Sequence, residues 1–176
     1  MKRVERIIYF RHSKANQRSD HDLYFLRNDQ KTANAYRAGA LDAYGNAPEQ
    51  GVSSGTGVPC GHCLNIVPEG EGFLVVAHRP FSILQPYAET GPIFICQPDC
   101  SALSATEIPQ VLEASPEYLI KGYTSNQRIK YGTGAIVPKE NFTSKLSALL
   151  ARSDLAFVDL RSAKNNCWLT RVTRQT

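Results

Sequence analysis

Two pairs of cysteines are the residues of this sequence with the clearest chemical potential. Cys60 and Cys63 form a CxxC pair, and Cys96 and Cys100 form a CxxxC pair after a further 32 residues. Thiolate sulfur is a preferred ligand of zinc, which takes four ligands in a tetrahedron. Because each short spacing places two sulfur atoms in one turn, the four cysteines predict a structural zinc site. We expect His62, between the first two, to point outward.

Three other interpretations of the first pair are open. CGHC is the active-site motif of disulfide isomerases, in which the first cysteine begins a helix, but Pro68, Gly70 and Gly72 follow here and prevent a helix of useful length. PCxxC also occurs in zinc deaminases, which need an upstream His-x-Glu. Neither His12 nor His21 belongs to such a motif. Both enzymatic interpretations are therefore disfavoured, and unligated thiols in a turn or core are the remaining alternative to metal.

Composition and charge place the chain among ordinary globular proteins. Its 176 residues suit one domain, and its 42% hydrophobic and 20% charged fractions are typical of a globular chain. No stretch approaches the ~18 apolar residues of a membrane helix, and the N-terminal apolar run ends at Arg11, which argues against a secretory signal. We therefore expect a cytoplasmic protein whose cysteines do not form a disulfide framework. The net charge of +4 is spread along the chain, so we expect neither a membrane nor a nucleic-acid partner.

The elements predicted from hydrophobic periodicity are mainly strands. Strands are predicted at residues 4–10, 72–81, 92–97, 117–123, 128–132, 134–137, 155–160 and 167–173, and helices at 30–43, 101–115 and 141–153. Ser104 begins a capping box for the second helix, and Asn141 can cap the third. Residues 45–58 are rich in Gly and Ser and are predicted to form a flexible loop. Because strands do not alternate regularly with helices, we predict a single α+β domain over residues 1–176. It has a mainly antiparallel sheet, two or three helices and a zinc-knuckle-like site.

Several stretches of the sequence together resemble one bacterial family of small uncharacterised proteins, classified only as a domain of unknown function. They are PCGHCL…EGEGFLVVAHRPF, PYAETGPIF, KGY…RIKYGTG and LRSAKNNCWLTRV, and they span roughly residues 59–174. The resemblance implies no particular activity. In similar proteins a histidine often stands at the position of Cys96, an exchange that suits a metal ligand. Others lack the second cysteine of the CxxC, which implies structural rather than catalytic zinc.

Four polar residues outside the cysteine pairs are candidates for binding a ligand. Tyr87 and Glu89 lie in a turn near the second cysteine pair, and Arg79, which ends an apolar strand, is a possible ion-pair partner of Glu89. Arg161 lies at a predicted hairpin turn, where its guanidinium group could hold a carboxylate or phosphate. Local capping and pairing are the alternative roles of these side chains. Cys167, the fifth cysteine, is expected to be buried and inert.

The sequence favours a zinc-stabilised binding module for a protein or a small anionic ligand near Arg79, Glu89 and Arg161. The catalytic residues, if any, are unknown. The alternative is a small hydrolase or transferase with a Glu/Arg/Tyr pocket, in which Glu89 is the acid or base and Arg161 holds an anionic substrate. That alternative requires Glu89 and Arg161 to meet in a concave pocket, whereas a module would present a shallow surface with an exposed apolar patch.

Overall fold

The computed structural model of the chain describes residues 23–101 and 106–174, which form two antiparallel sheets and two α-helices. In chain order the elements are β1 (Leu23–Leu26), α1 (Gln30–Arg37), β2 (Glu49–Val52), β3 (Gly72–His78), β4 (Gly91–Cys96), β5 (Glu117–Tyr123), β6 (Ala135–Pro138), α2 (Phe142–Leu150), β7 (Phe157–Ser162) and β8 (Trp168–Arg174). The predicted α+β class with mainly antiparallel pairing is confirmed. The predicted strand at residues 4–10 and the predicted cap at Ser104 lie outside the described residues.

The larger sheet has five strands in the order β1-β8-β7-β5-β6, and every neighbouring pair is antiparallel. Successive side chains of a strand point to opposite faces, so Ile120 of β5 and Leu160 of β7, which are paired, share one face. That face is buried against α2. The helix contributes Phe142, Leu146, Leu149 and Leu150 to this contact. The apolar side of α2 and this face of the sheet therefore form the main hydrophobic core.

The smaller sheet has three antiparallel strands in the order β2-β3-β4. One of its faces packs against α1 and against Trp168 at the start of β8. The buried residues of this contact are Ala33, Leu74, Val76, Ile93, Ile95 and Trp168. The opposite face carries Phe73 and Phe94, which pack against the buried cysteines. The smaller sheet thus lies between α1 on one side and the cysteines on the other.

Segment 45–58, predicted to be a flexible loop, contains strand β2, so that prediction is wrong for its central part. β2 is antiparallel to β3, with a register that runs from Glu49 opposite Val75 to Val52 opposite Gly72. Three of its four residues are exposed, so backbone hydrogen bonds at a sheet edge hold this strand, and burial contributes little. Hydrophobic periodicity, the main sequence signal for a strand, is therefore missing.

Helix α1 is shorter than the predicted helix at residues 30–43. Asp29 caps its N-terminus, since Oδ1 accepts a hydrogen bond of 2.8 Å from the backbone N–H of Thr32. Gly39 follows the helix with a φ of +86°, a left-handed conformation that glycine adopts without a steric penalty and that commonly ends helices. With eight and nine residues, the α-helices of the described ranges fall well short of a membrane span.

Two other predicted elements are largely absent from the described residues. Residues 128–132 form an isolated bridge and turns instead of a strand. In the described part of the predicted helix at 101–115, which is residue 101 and residues 106–115, the helical structure is the 3-10 turn Gln110–Leu112. Gly132 is the last residue of the first segment and Pro109 lies within the second, and both residue types end regular structure. α2 lies where it was predicted, but the side chain of Asn141 makes no capping hydrogen bond. The helix follows directly from the 3-10 turn Lys139–Asn141.

Replacing Leu146 by alanine is expected to lower the free energy of unfolding by about 2–5 kcal/mol, because it leaves a cavity between α2 and the sheet. The side chain of Leu146 is fully buried in the main core. Lys145→Ala, at the exposed neighbouring position of the same helix, is the control and should change stability little. Urea denaturation of both variants measures the difference. Equal stability of the two variants would contradict the placement of α2.

Candidate functional site

The sulfur atoms of the four paired cysteines lie together at one end of the smaller sheet. The four Sγ atoms are all within 4.8 Å of one another, and Sγ of Cys63 is 3.9 Å from Sγ of Cys96. Four thiolates at about 2.3 Å from a tetrahedral zinc ion lie roughly 3.8 Å apart, so the spacing suits one metal ion. Three of the cysteines are buried and Cys100 is half-buried. The structure therefore brings together the four residues predicted as metal ligands.

The first cysteine pair lies in a tight turn that precedes β3 in the chain. The backbone N–H of Leu64 donates to the carbonyl of Cys60, and the N–H of Cys60 donates to the carbonyl of Asn65. Leu64 has a positive φ of 58°, which turns the chain back sharply. A bridge between Cys60 and Phe94 fixes this turn against β4, and the backbone N–H of Cys96 lies 3.3 Å from Sγ of Cys60. The first turn and the end of β4 are thus joined through backbone contacts.

The second cysteine pair is held by Arg37, at the last position of α1. Its Nε donates to the carbonyl of Cys96 at 2.9 Å, its Nη2 contacts Sγ of Cys100 at 3.1 Å, and its Nη1 pairs with Asp99 at 3.1 Å. Four thiolates around a divalent ion carry a net charge of about −2, so a neighbouring guanidinium group stabilises the loaded centre. Sequence reasoning missed Arg37, because nothing in the local pattern of α1 indicates a partner 63 residues away.

The thiols of the centre interact strongly with one another. Hydrogen bonds from Cys63 and Cys96 hold the pKa of Cys60 far below its usual range. The bond to Cys60 raises the pKa of Cys63, and bonds to Cys60 and Cys63 raise the pKa of Cys96. Cys60 is therefore the thiol of the centre that loses its proton most readily. A metal ion that binds here displaces the remaining protons, since thiolates are the ligands.

His62 does not point outward, so that prediction is wrong. The side chain is almost completely buried; its Nδ1 donates to the backbone carbonyl of Asn28 at 2.7 Å, and its Nε2 lies 2.9 Å from Oε1 of Gln30. Both ring nitrogens thus face the segment that begins α1 and neither faces the sulfur atoms. A buried imidazole needs partners for its polar atoms, and only the tertiary fold supplies them here. The role of His62 is to attach the first cysteine turn to α1.

A network of ion pairs covers the other face of the larger sheet, opposite α2. Glu89 Oε1 accepts a 2.6 Å hydrogen bond from Lys121 Nζ, and its Oε2 accepts one of 2.9 Å from the hydroxyl of Tyr123. The same oxygen lies 3.2 Å from Nη2 of Arg161. Glu89 and Arg161, two of the predicted ligand-binding residues, are therefore neighbours. The expected ion pair between Arg79 and Glu89 is wrong, because Lys121 and Arg161 take that place.

Asp159 of β7 is the most deeply buried charged member of this network. Its carboxylate is fully buried and accepts two hydrogen bonds from Arg171 of β8, at 2.7 and 3.0 Å. The guanidinium carbon of Arg171 also lies 3.7 Å from the centre of the Phe157 ring. Sequence reasoning missed Lys121, Asp159 and Arg171. The available signal was a charged residue in the interior of each of three largely apolar strands, β5, β7 and β8, which indicates a face covered by a charged partner.

The network holds Glu89 as a carboxylate. Burial by itself would raise the pKa of Glu89, but the hydrogen bond from Lys121, with help from Arg161 and Tyr123, outweighs it and keeps the pKa below its usual range. Burial and the neighbouring carboxylates raise the pKa of Tyr123. Tyr87, the third predicted ligand-binding residue, lies outside this network, and its hydroxyl contacts that of Tyr131 at 2.9 Å. Both oxygens of Glu89 are thus engaged by cationic or hydroxyl groups of the protein.

Fold and centre together define an α+β domain with a four-cysteine candidate metal centre. The family model described as "Protein of unknown function (DUF1203)" matches residues 57–174, which include all four cysteines, Glu89 and Arg161. This chain therefore belongs to the DUF1203 family, as its resemblance to a domain of unknown function indicated. No curated protein and no solved structure matches it.

Arg37→Gln is expected to weaken metal binding by roughly tenfold or more, because it removes the N–H···S contact and the positive charge beside the centre. Competition with a chromophoric chelator measures the affinity. Lys31→Gln removes the same charge from an exposed position of α1 and serves as the control. Equal weakening by the two substitutions would show that general charge, and not the contact with Cys100, controls the affinity.

Asp159→Asn is expected to lower the free energy of unfolding by about 3–5 kcal/mol, since it leaves the largely buried guanidinium group of Arg171 without its counter-ion. The measurement is urea denaturation of metal-loaded protein. Asp154→Asn removes a carboxylate from an exposed position and should have little effect. A stability of the Asp159 variant close to that of the Asp154 variant would contradict a structural role for the network.

Proposed function

We propose that this protein is a zinc-stabilised binding module whose ligand is a small anionic molecule or a protein. The observation that supports the zinc is the convergence of four cysteine sulfurs from two separate parts of the chain within 4.8 Å. Such a set provides four protein ligands and leaves no open coordination position, which is the arrangement of structural zinc sites. A structural zinc ion of this type contributes on the order of 10 kcal/mol of apparent binding free energy to the folded state.

The choice of zinc rests on ligand type and number. Four sulfur ligands around one point suit zinc or an iron–sulfur centre, and the close spacing of the four sulfurs favours a single ion over a cluster. All five cysteines are free thiols in the structure. Free thiols suit a reducing compartment, so the cytoplasm is the proposed location.

A binding role is supported by the surface on the side of the ion network. Three cations of that network, Lys121, Arg161 and Arg171, face only two carboxylates, so an anion is favoured nearby. Ile83 and Leu84 lie exposed in the segment that covers the network, as expected for a module that contacts a protein. Both features are compatible with the predicted ligand classes, and the excess of cations favours the anion.

The hydrolase or transferase alternative has one observation in its favour, the proximity of Glu89 and Arg161. A general acid needs a pKa near the working pH and a free proton to donate. Glu89 instead has a lowered pKa, and both of its oxygens are hydrogen-bonded to protein groups. The geometry therefore supports the binding module better than it supports Glu89 as an acid or base.

Protein purified without added metal is expected to contain one zinc ion per chain, and a strong chelator is expected to remove zinc and folded structure together. Elemental analysis and circular dichroism measure these two quantities. Cys63→Ser should lose the zinc, because three thiolates and a hydroxyl group bind it more weakly.

Cys167→Ser is the matched control, because this fifth cysteine lies outside the centre. The structure leaves Cys167 half-buried, and burial raises the pKa of its thiol. This variant should keep one zinc ion per chain. A protein without metal, or full zinc content in the Cys63 variant, would contradict the proposal, and iron in place of zinc would reject the choice of metal.

A further inference from the structure

A cavity of about 340 Å³ lies between the start of α1, the end of β3 and strand β8. Its size falls within the range of sites for small molecules, roughly 300–1,000 Å³. The lining residues that matter here are Asn28, His78, Arg79, Phe81, Trp168 and Arg171. Arg79, predicted from sequence to bind a ligand, thus lies at this cavity, whereas the cysteine centre contributes none of the lining residues. The cavity is separate from the candidate metal centre.

Two residues that line this cavity carry buried N–H groups without acceptors. Within the described ranges, the buried side-chain polar atoms that have no hydrogen-bond partner are Nδ2 of Asn28, Nε1 of Trp168, and Nε and Nη2 of Arg161. Asn28 and Trp168 line the cavity and both are 6% exposed. Arg161 does not line it, and its Nη2 lies 3.2 Å from Glu89 in the ion network. All of these atoms are donors. Since unpaired buried donors are unfavourable, the region favours a molecule that supplies acceptor oxygens.

The charges that line the cavity are mainly positive. Arg27, Arg79 and Arg171 face it with a single carboxylate, Asp29, which already caps α1. Arg171 donates to Asp159 through Nε and Nη2, so its Nη1 is not used in that pair. Arg79 is exposed and has no ion pair among the described residues. Guanidinium groups suit carboxylate and phosphate oxygens, so this wall favours an anion.

The remaining walls are aromatic. Phe81, Trp168 and His78 line the cavity, and the rings of His78 and Trp168 lie 5.9 Å apart. Burial, followed by the charges of Arg171 and Arg79, lowers the pKa of His78 to about 4, so the imidazole is neutral at pH 7. A ligand that fits these walls has an apolar or planar body in addition to its charged group.

We propose that the cavity binds a small organic oxyanion, with a carboxylate or phosphate group held by Arg79 and Arg171 and a planar body against Trp168. The inference rests on the proposed function as a binding module, and it specifies the site and the ligand class. Glu89 and Arg161 do not line this cavity, and they belong to the ion network that also includes Arg171. They support it by holding the charged face of the sheet in place.

Trp168 is the only tryptophan of the chain, so its indole N–H gives a unique signal in a 15N-correlated NMR spectrum. We would titrate zinc-loaded, full-length protein with sodium benzoate and, separately, with inorganic phosphate at constant ionic strength. The expected result is a shift of the indole signal that saturates as ligand is added. A titration up to about 20 mM ligand reaches saturation if the dissociation constant is about 1 mM. Stronger binding of benzoate would identify a carboxylate ligand with a planar body, and stronger binding of phosphate would identify a phosphorylated one.

Arg79→Gln should raise the dissociation constant by roughly tenfold, as expected for the loss of a charge-assisted hydrogen bond. Lys145→Gln, which removes an equal charge from an exposed position of α2, should leave it unchanged. No saturable shift with either ligand, or equal effects of the two substitutions, would overturn the inference. Zinc content measured on the same samples separates the two proposals. Full zinc without binding rejects only the cavity, whereas missing zinc rejects the proposed function.

Discussion

The meeting of four cysteine sulfurs is the interaction on which the arrangement of this domain depends. It joins the turn that carries Cys60 to the end of β4, and Arg37 connects the same point to the end of α1. His62 makes a second connection, from the cysteine turn to the residues that begin α1. Three segments distant in sequence are thus held at one point. A metal ion bound to the sulfurs would stabilise all three contacts at once, because the ligands are brought together only in the folded state.

The second organising feature is the network of charged side chains on one face of the larger sheet, whose other face is apolar. Burying Asp159 and Arg161 is unfavourable unless each is paired, and Arg171 and Glu89 provide the partners. Glu89 belongs to the segment between β3 and β4, so the ionic contacts attach that segment to the larger sheet. The first residues of the same segment, Arg79 to Ser82, line the cavity together with Arg171. The ion network therefore contributes one of the three arginines that line the cavity, and Arg27 and Arg79 come from the segments next to β1 and β3.

Prediction from sequence succeeded where the signal was local and repeated. Apolar alternation placed most strands of the two sheets, and periodicity placed α2 with Leu146 toward the core. It failed for β2, an edge strand with exposed side chains that forms through its backbone bonds to β3. It also failed for His62, whose polarity suggested an exposed position. Partners for a buried imidazole are visible only once α1 and the cysteine turn are packed together.

The sequence alone determined the two halves of the metal centre, because two cysteines separated by two or three residues lie within reach of one ion in almost any turn. It also determined the α+β class, which follows from the order and period of the apolar segments. Only the tertiary structure decided that the halves meet, that Arg37 lies beside Cys100, and that Glu89 pairs with Lys121 and Arg161 instead of Arg79. The reason is that these partners are 32 to 72 residues apart, so strand register and packing, not local spacing, bring them into contact.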